Sequence, residues 1–217
     1  LAMCIAVTTA LARAQKSTEV QAPESAFTSL FDGKSLNGWT VSTKTGHGQG
    51  GEWTVKDGYI HGIQDSPGSG GILVTEDEYG DFELRIEVKP QWPIDSGIFL
   101  RSTLQGAAYQ VLLDFRPGGF VAGLYGERLR PGFHVKTPDW RQHWKEDEWN
   151  EIRAVIQGTP PTISTWLNGE PIVQGWTDPV ADRGHPSKGR IGLQIHGGKR
   201  WIDTPVRFRN IRIRESE

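Results

Sequence analysis

The chain has 217 residues, with 24 Lys and Arg against 26 Asp and Glu and a formal net charge of -2. Charge this evenly mixed, with no basic run, excludes the positive face that nucleic-acid binding requires. Nine tryptophans stand out. Such rings either fill a core or form platforms that stack on sugar faces. In chain order, an almost wholly apolar stretch at 1–11 precedes Ala12-Arg13-Ala14. That pattern predicts a secretory signal peptide at 1–14 and a location in the periplasm or outside the cell. The apolar run is too short for a membrane span. Cys4, the only cysteine, lies inside it, so the mature domain is expected to fold on its core alone. Residues 15–26 read as a polar linker.

Residues 27–217 read as one all-β domain. Leu30 to Trp39 sets two turn signals, Asp32-Gly33 and Asn37-Gly38, between apolar residues. Glu52 to Val55, Asp57-Gly58 and Tyr59 to Gly62 form a hairpin pattern. Asp81 to Val88 alternates Phe82, Leu84, Ile86 and Val88 with Glu83, Arg85 and Glu87. Further strands are expected at 96–101, 109–114, 149–157, 162–167, 190–196 and 205–214. Many short strands without helical periodicity predict one antiparallel sandwich or barrel. Pro131 to Asp147 is a long polar and aromatic insertion, of the kind that often borders a site. Asp178 to Ser187 reads as another loop.

Eight segments, in order, resemble one known family. They begin with Leu30-Phe31-Asp32-Gly33-Lys34-Ser35-Leu36-Asn37-Gly38-Trp39, then Tyr79 to Leu84 and Asp95-Ser96-Gly97-Ile98-Phe99-Leu100-Arg101. Tyr109-Gln110-Val111 to Asp114, Trp149-Asn150 and Trp166-Leu167-Asn168-Gly169 follow. Ile191-Gly192-Leu193-Gln194-Ile195-His196-Gly197 and Phe208-Arg209-Asn210-Ile211-Arg212-Ile213 complete the set. Together they are similar to the 3-keto-disaccharide hydrolases, over about residues 27–214. The resemblance implies a concanavalin A-like jelly roll of two curved antiparallel sheets, with a sugar groove on the concave face. It also implies a role in glycoside breakdown, with an oligosaccharide or glycoside as partner.

Strand alternation puts residues i and i+2 on one face. With Ile98, Leu100, Val111, Leu113, Leu193 and Ile195 turned inward, Arg101, Gln110, Asp114, Gln194 and His196 turn outward. Trp166 turns outward on its own strand. If these faces belong to one sheet, they assemble planar polar groups, an aromatic platform and one titratable histidine. Each residue also has a plainer reading: Arg101 as an ion-pair partner, Asp114 as a turn former, Trp166 as cover for a sheet edge.

A conventional glycosidase needs two carboxylates flanking the scissile bond. No Glu-x-Asp-x-x-Glu run supplies them here. A 3-keto sugar has an acidified C2 proton, so one base, an enolate stabiliser and one acid suffice for elimination. His196 is the expected base or acid. Arg101 is the expected stabiliser. Asp114 or Glu127 would orient His196 or transfer the second proton. Gln110, Gln194, Trp166, Asp95 and Tyr125 are the expected sugar contacts. The resemblance also implies Glu at the position of Gln110 and Asn at the position of Asp95. A Gln cannot transfer a proton as a carboxylic acid does, so the alternative is a non-catalytic, lectin-like carbohydrate-binding domain. Asp95 would compensate if it reaches the groove. The six histidines show no metal-ligand spacing. No cofactor is called for, although a structural Ca²⁺ is compatible with such sandwiches.

Overall fold

In the computed structural model the described residues are 23–48, 50–65 and 68–216. The signal peptide expected at 1–14 and most of the expected linker at 15–26 lie outside them. Fifteen strands follow in chain order: β1 (Thr28–Ser29), β2 (Trp39–Val41), β3 (Glu52–Lys56), β4 (Tyr59–Ile63), β5 (Gly71–Thr75), β6 (Phe82–Val88), β7 (Gly97–Ser102) and β8 (Ala108–Leu113), then β9 (Val121–Glu127), β10 (His134–Val135), β11 (Asn150–Gln157), β12 (Thr162–Leu167), β13 (Glu170–Thr177), β14 (Arg190–Ile195) and β15 (Val206–Glu215). One sheet runs β13-β12-β11-β6-β15-β4-β3, with β1 paired to β15. The other runs β10-β9-β8-β7-β14-β5-β2. All pairings are antiparallel. The architecture is the expected jelly-roll sandwich of two curved sheets.

The inward positions of both sheets meet in one core. Leu84, Ile86, Ile98, Leu100, Val111, Leu113, Leu193 and Phe208 are all buried there. The hairpin β3–β4 forms where Asp57 and Gly58 both take positive φ, the geometry that matches strand twist. Strand β5 was not expected, because every residue from Gly71 to Thr75 is buried. With both faces covered, no polar alternation marks it.

Outside the core, the face of the eight-stranded sheet turned from the sandwich centres on one carboxylate. Glu83 is 1 % exposed and receives bonds from Arg85 (2.9 Å), Arg153 (2.7 Å) and Arg214 (2.9 Å). These partners hold its carboxyl below the usual value against the opposing effect of burial. Glu24, at the end of the linker, pairs with Arg85 and Arg212 beside this cluster.

Candidate functional site

The outer face of the seven-stranded sheet carries a cleft of about 370 Å³. Alternation builds its floor. Val111 and Leu193 go to the core, so Gln110 and Gln194 turn into the cleft from β8 and β14. The Gln110 amide lies across Gly97, where a Cβ would come within 2.0 Å of its Nε2. From there Nε2 donates to Gln194 Oε1 at 3.1 Å, and to the Ser96 carbonyl at the long limit of 3.5 Å. Both glutamines are almost fully buried.

One wall follows β14 and the turns beside it. His196 sits one residue past β14, with its backbone carbonyl accepting from the Gln64 side chain. Its Nδ1 lies 2.8 Å from the Gly197 carbonyl. A carbonyl only accepts, so Nδ1 carries the proton in the neutral ring and Nε2 presents a lone pair. That Nε2 is 3.8 Å from Asp95 Oδ2. Arg116 pairs with Asp114 through Nε, and its Nη2 lies 3.9 Å from Asp95. Burial pushes both carboxyls above their ordinary value. For Asp95, His196 and Arg116 oppose the rise; for Asp114, the nearby Asp95 adds to it and Arg116 opposes it.

The opposite wall is built by β9, β10 and the loop before β3. His47 Nε2 lies 3.2 Å from Glu127 Oε1 and 3.3 Å from Arg128 Nε. Its ring meets Phe99 edge-on, with centroids 5.6 Å apart. Tyr125, which is 40 % exposed, meets His134 edge-on at the rim. Burial, and then Lys136, lowers the pKa of His134 below its ordinary value.

The cleft thus gathers His196, Asp114, Glu127, Gln110, Gln194, Asp95 and Tyr125. Two expected members lie elsewhere. Arg101 falls at a bulge where β7 and β14 slip register, and its φ of 50° breaks the alternation. Its guanidinium is buried and bonds Asp81 (2.6 Å), the Gly80 carbonyl (2.8 Å) and the Gly158 carbonyl (2.9 Å). Trp166 belongs to the other sheet, where Arg153 stacks on its ring at 3.9 Å. Alternation alone does not say which sheet a strand joins. The cleft also holds His47, Arg116 and His134, which sequence reasoning did not select. Arg116 lies two residues beyond Asp114, in the turn after β8. His47 falls in a glycine-rich loop, and His134 in the aromatic insertion. Among the described residues no three His, Cys, Asp or Glu side chains gather as metal ligands, and no helix is long and apolar enough to cross a membrane.

Comparison with known proteins agrees with a carbohydrate-related function. A 3-keto-disaccharide hydrolase of Bacteroides thetaiotaomicron is 26 % identical, over 87 % of this chain and 78 % of that protein. Among solved structures, a candidate glycosyl hydrolase from Parabacteroides distasonis superposes with a TM-score of 0.60 at 23 % identity, covering 88 % of this chain and 99 % of that one. The carbohydrate binding module CBM66 from Bacillus subtilis gives 0.58 at 17 % identity, covering 82 % and 96 %. These two likenesses concern the fold. Residues 26–214 match the family described as the 3-keto-alpha-glucoside-1,2-lyase-like domain, and the chain belongs to that family.

Proposed function

We propose that the cleft cleaves 3-keto-glycosides, starting with proton abstraction at C2. The observation that carries this reading is a pair of histidine–carboxylate couples on opposite walls, His196 with Asp95 and His47 with Glu127. His196 Nε2, which bears the lone pair in the neutral ring because Nδ1–H faces the Gly197 carbonyl, takes the C2 proton. The C2–H electrons pass to the C3 carbonyl as an enolate; the ketone then re-forms as C1=C2 is made, and the C1–O bond breaks with its pair going to the leaving oxygen. Asp95 stabilises the imidazolium that results. The His47–Glu127 couple on the opposite wall supplies the leaving oxygen's proton. Water then adds across C1=C2: its oxygen bonds C1 and its proton recharges the acid, while His196 returns its proton to C2, completing a net hydrolysis. Arg116, beside Asp114 and Asp95, supplies positive charge to the enolate oxygen. The apolar leader at 1–14 supports action in the periplasm or outside the cell.

A second reading is non-catalytic sugar binding, and the amide of Gln110 in the cleft floor favours it. One experiment separates the two. The purified protein is incubated with a 3-keto-disaccharide, and monosaccharide release is followed by chromatography. Turnover by the parent and loss of at least 10²-fold in His196→Ala, about the usual contribution of a general base, support the enzyme. Binding without turnover across the pH range leaves the lectin reading. Near-parent turnover in His196→Ala removes that residue from the mechanism.

A further inference from the structure

A second cavity, of about 300 Å³, lies behind the cleft wall. The wall is the isolated pairing of Ile94 with Phe115, whose backbone bond is 2.8 Å. Asp95, Asp114 and Arg116 face the cleft on one side, while Trp92 and Phe115 face the second cavity on the other. The floor is aromatic. Trp92 meets Phe115 edge-on at 4.6 Å, and Phe115 lies 4.8 Å from Trp144. The Arg141 guanidinium stacks over Trp92 at 4.6 Å and donates to the Arg116 carbonyl at 3.2 Å. Despite these supports Trp92 remains 40 % exposed. It and Tyr125 are the exposed large hydrophobic residues among those described. Lys89 and Arg207 line the cavity together with Glu146, Asp147 and Glu148.

We infer that this cavity binds a neutral glycosyl unit, as an accessory glycan site separate from the cleft. An indole held in one orientation offers a flat apolar surface with little ordering cost, which suits the C–H face of a pyranose. A rim with both donors and acceptors suits hydroxyls, which do both. The same mixed rim disfavours an ionic ligand, because either sign meets like charge. A cavity of this volume holds one or two sugar rings. The site would keep the enzyme on a glycan while the cleft works, and it does not depend on the cleft's own chemistry.

The test uses the whole protein and unoxidised probes: cellohexaose, maltoheptaose and xylohexaose, with hexagalacturonate as the charged control. The Trp92 indole N–H resonance is identified by its loss in Trp92→Phe and followed by NMR during titration. At least one neutral probe is expected to shift that resonance. Its affinity should fall about tenfold or more in Trp92→Ala, the scale of one lost aromatic contact, and less in Trp92→Phe. Gln91→Ala, an exposed rim change, provides a second variant that leaves the aromatic floor intact and should weaken binding modestly. The inference is overturned if no neutral probe moves the Trp92 resonance, if affinity is unchanged in Trp92→Ala, or if hexagalacturonate binds as tightly as the neutral probes. Turnover of a 3-keto-disaccharide by Trp92→Ala should equal the parent's. Absence of turnover in every form would remove the proposed cleft chemistry and leave the binding result standing.

Discussion

Gly97→Ala tests whether the cleft floor depends on an absent side chain. A Cβ at this position would lie 2.0 Å from Gln110 Nε2 and 2.7 Å from its Cδ and Cγ, so the whole side chain must move. Moving it breaks the 3.1 Å bond to Gln194 and the weak contact to Ser96. One net hydrogen bond with a buried acceptor left orphaned costs about 2 kcal/mol. Replacing glycine in a strand returns about 0.5 kcal/mol, because Gly loses more backbone entropy on folding. The net loss is about 1.5 kcal/mol, or roughly 3–6 °C in Tm for a chain of this size. In a Gln110→Ala background the space is open, and the same substitution should be neutral or slightly stabilising. Urea titration and calorimetry of the four proteins in this cycle give the coupling energy directly. Equal destabilisation in both backgrounds would refute the claim that Gly97 exists to seat Gln110.

Two further outcomes follow from the same geometry. Arg101→Ala should lower stability by about 3 kcal/mol, from the cavity and the two orphaned carbonyls, while KM for a 3-keto-disaccharide in the folded fraction stays unchanged. Trp166→Ala should likewise leave KM unchanged, and a raised KM in either variant would return that residue to the substrate. The third concerns pH. Burial raises the Asp95 carboxyl above 3.8, so the folded state binds that proton more tightly than the unfolded state. Ionisation then costs stability above the folded-state value, and the cost vanishes below 3.8. Asp95→Asn should therefore raise Tm near neutrality, with the gain disappearing as pH falls below 3.8. A lower Tm near neutrality would mean that His196 and Arg116 outweigh the burial.

Legibility in the sequence followed regularity of the backbone. Gln110, Gln194 and His196 were assignable because β8 and β14 alternate without interruption up to those residues. Arg101 was misplaced because a single positive φ at the bulge undoes the alternation, and no residue type announces it. Ala122 and Arg128 also take positive φ without being glycine or asparagine. Trp166 faced outward as expected, but on the wrong sheet, since pairing partners are set by long-range register. His47 and His134 sit on a loop and a two-residue strand, where periodicity carries no information. Asp95 reaches the cleft from just before β7, which a strand pattern could not establish.

The placement of β10 bears on how the cleft breathes. This two-residue strand closes one border of its sheet through β9 alone, whereas β14 is flanked by both β5 and β7. Local opening takes the least free energy where the fewest ladder bonds must break. His134, on that border strand, therefore stands on the side that opens first, while Tyr125 and Glu127 on β9 are also held by β8 and the wall bearing His196 is the fixed anvil. Sugar rings would enter by lifting the border strand, and the group assigned to abstract a proton would keep its position whether the aperture is open or shut.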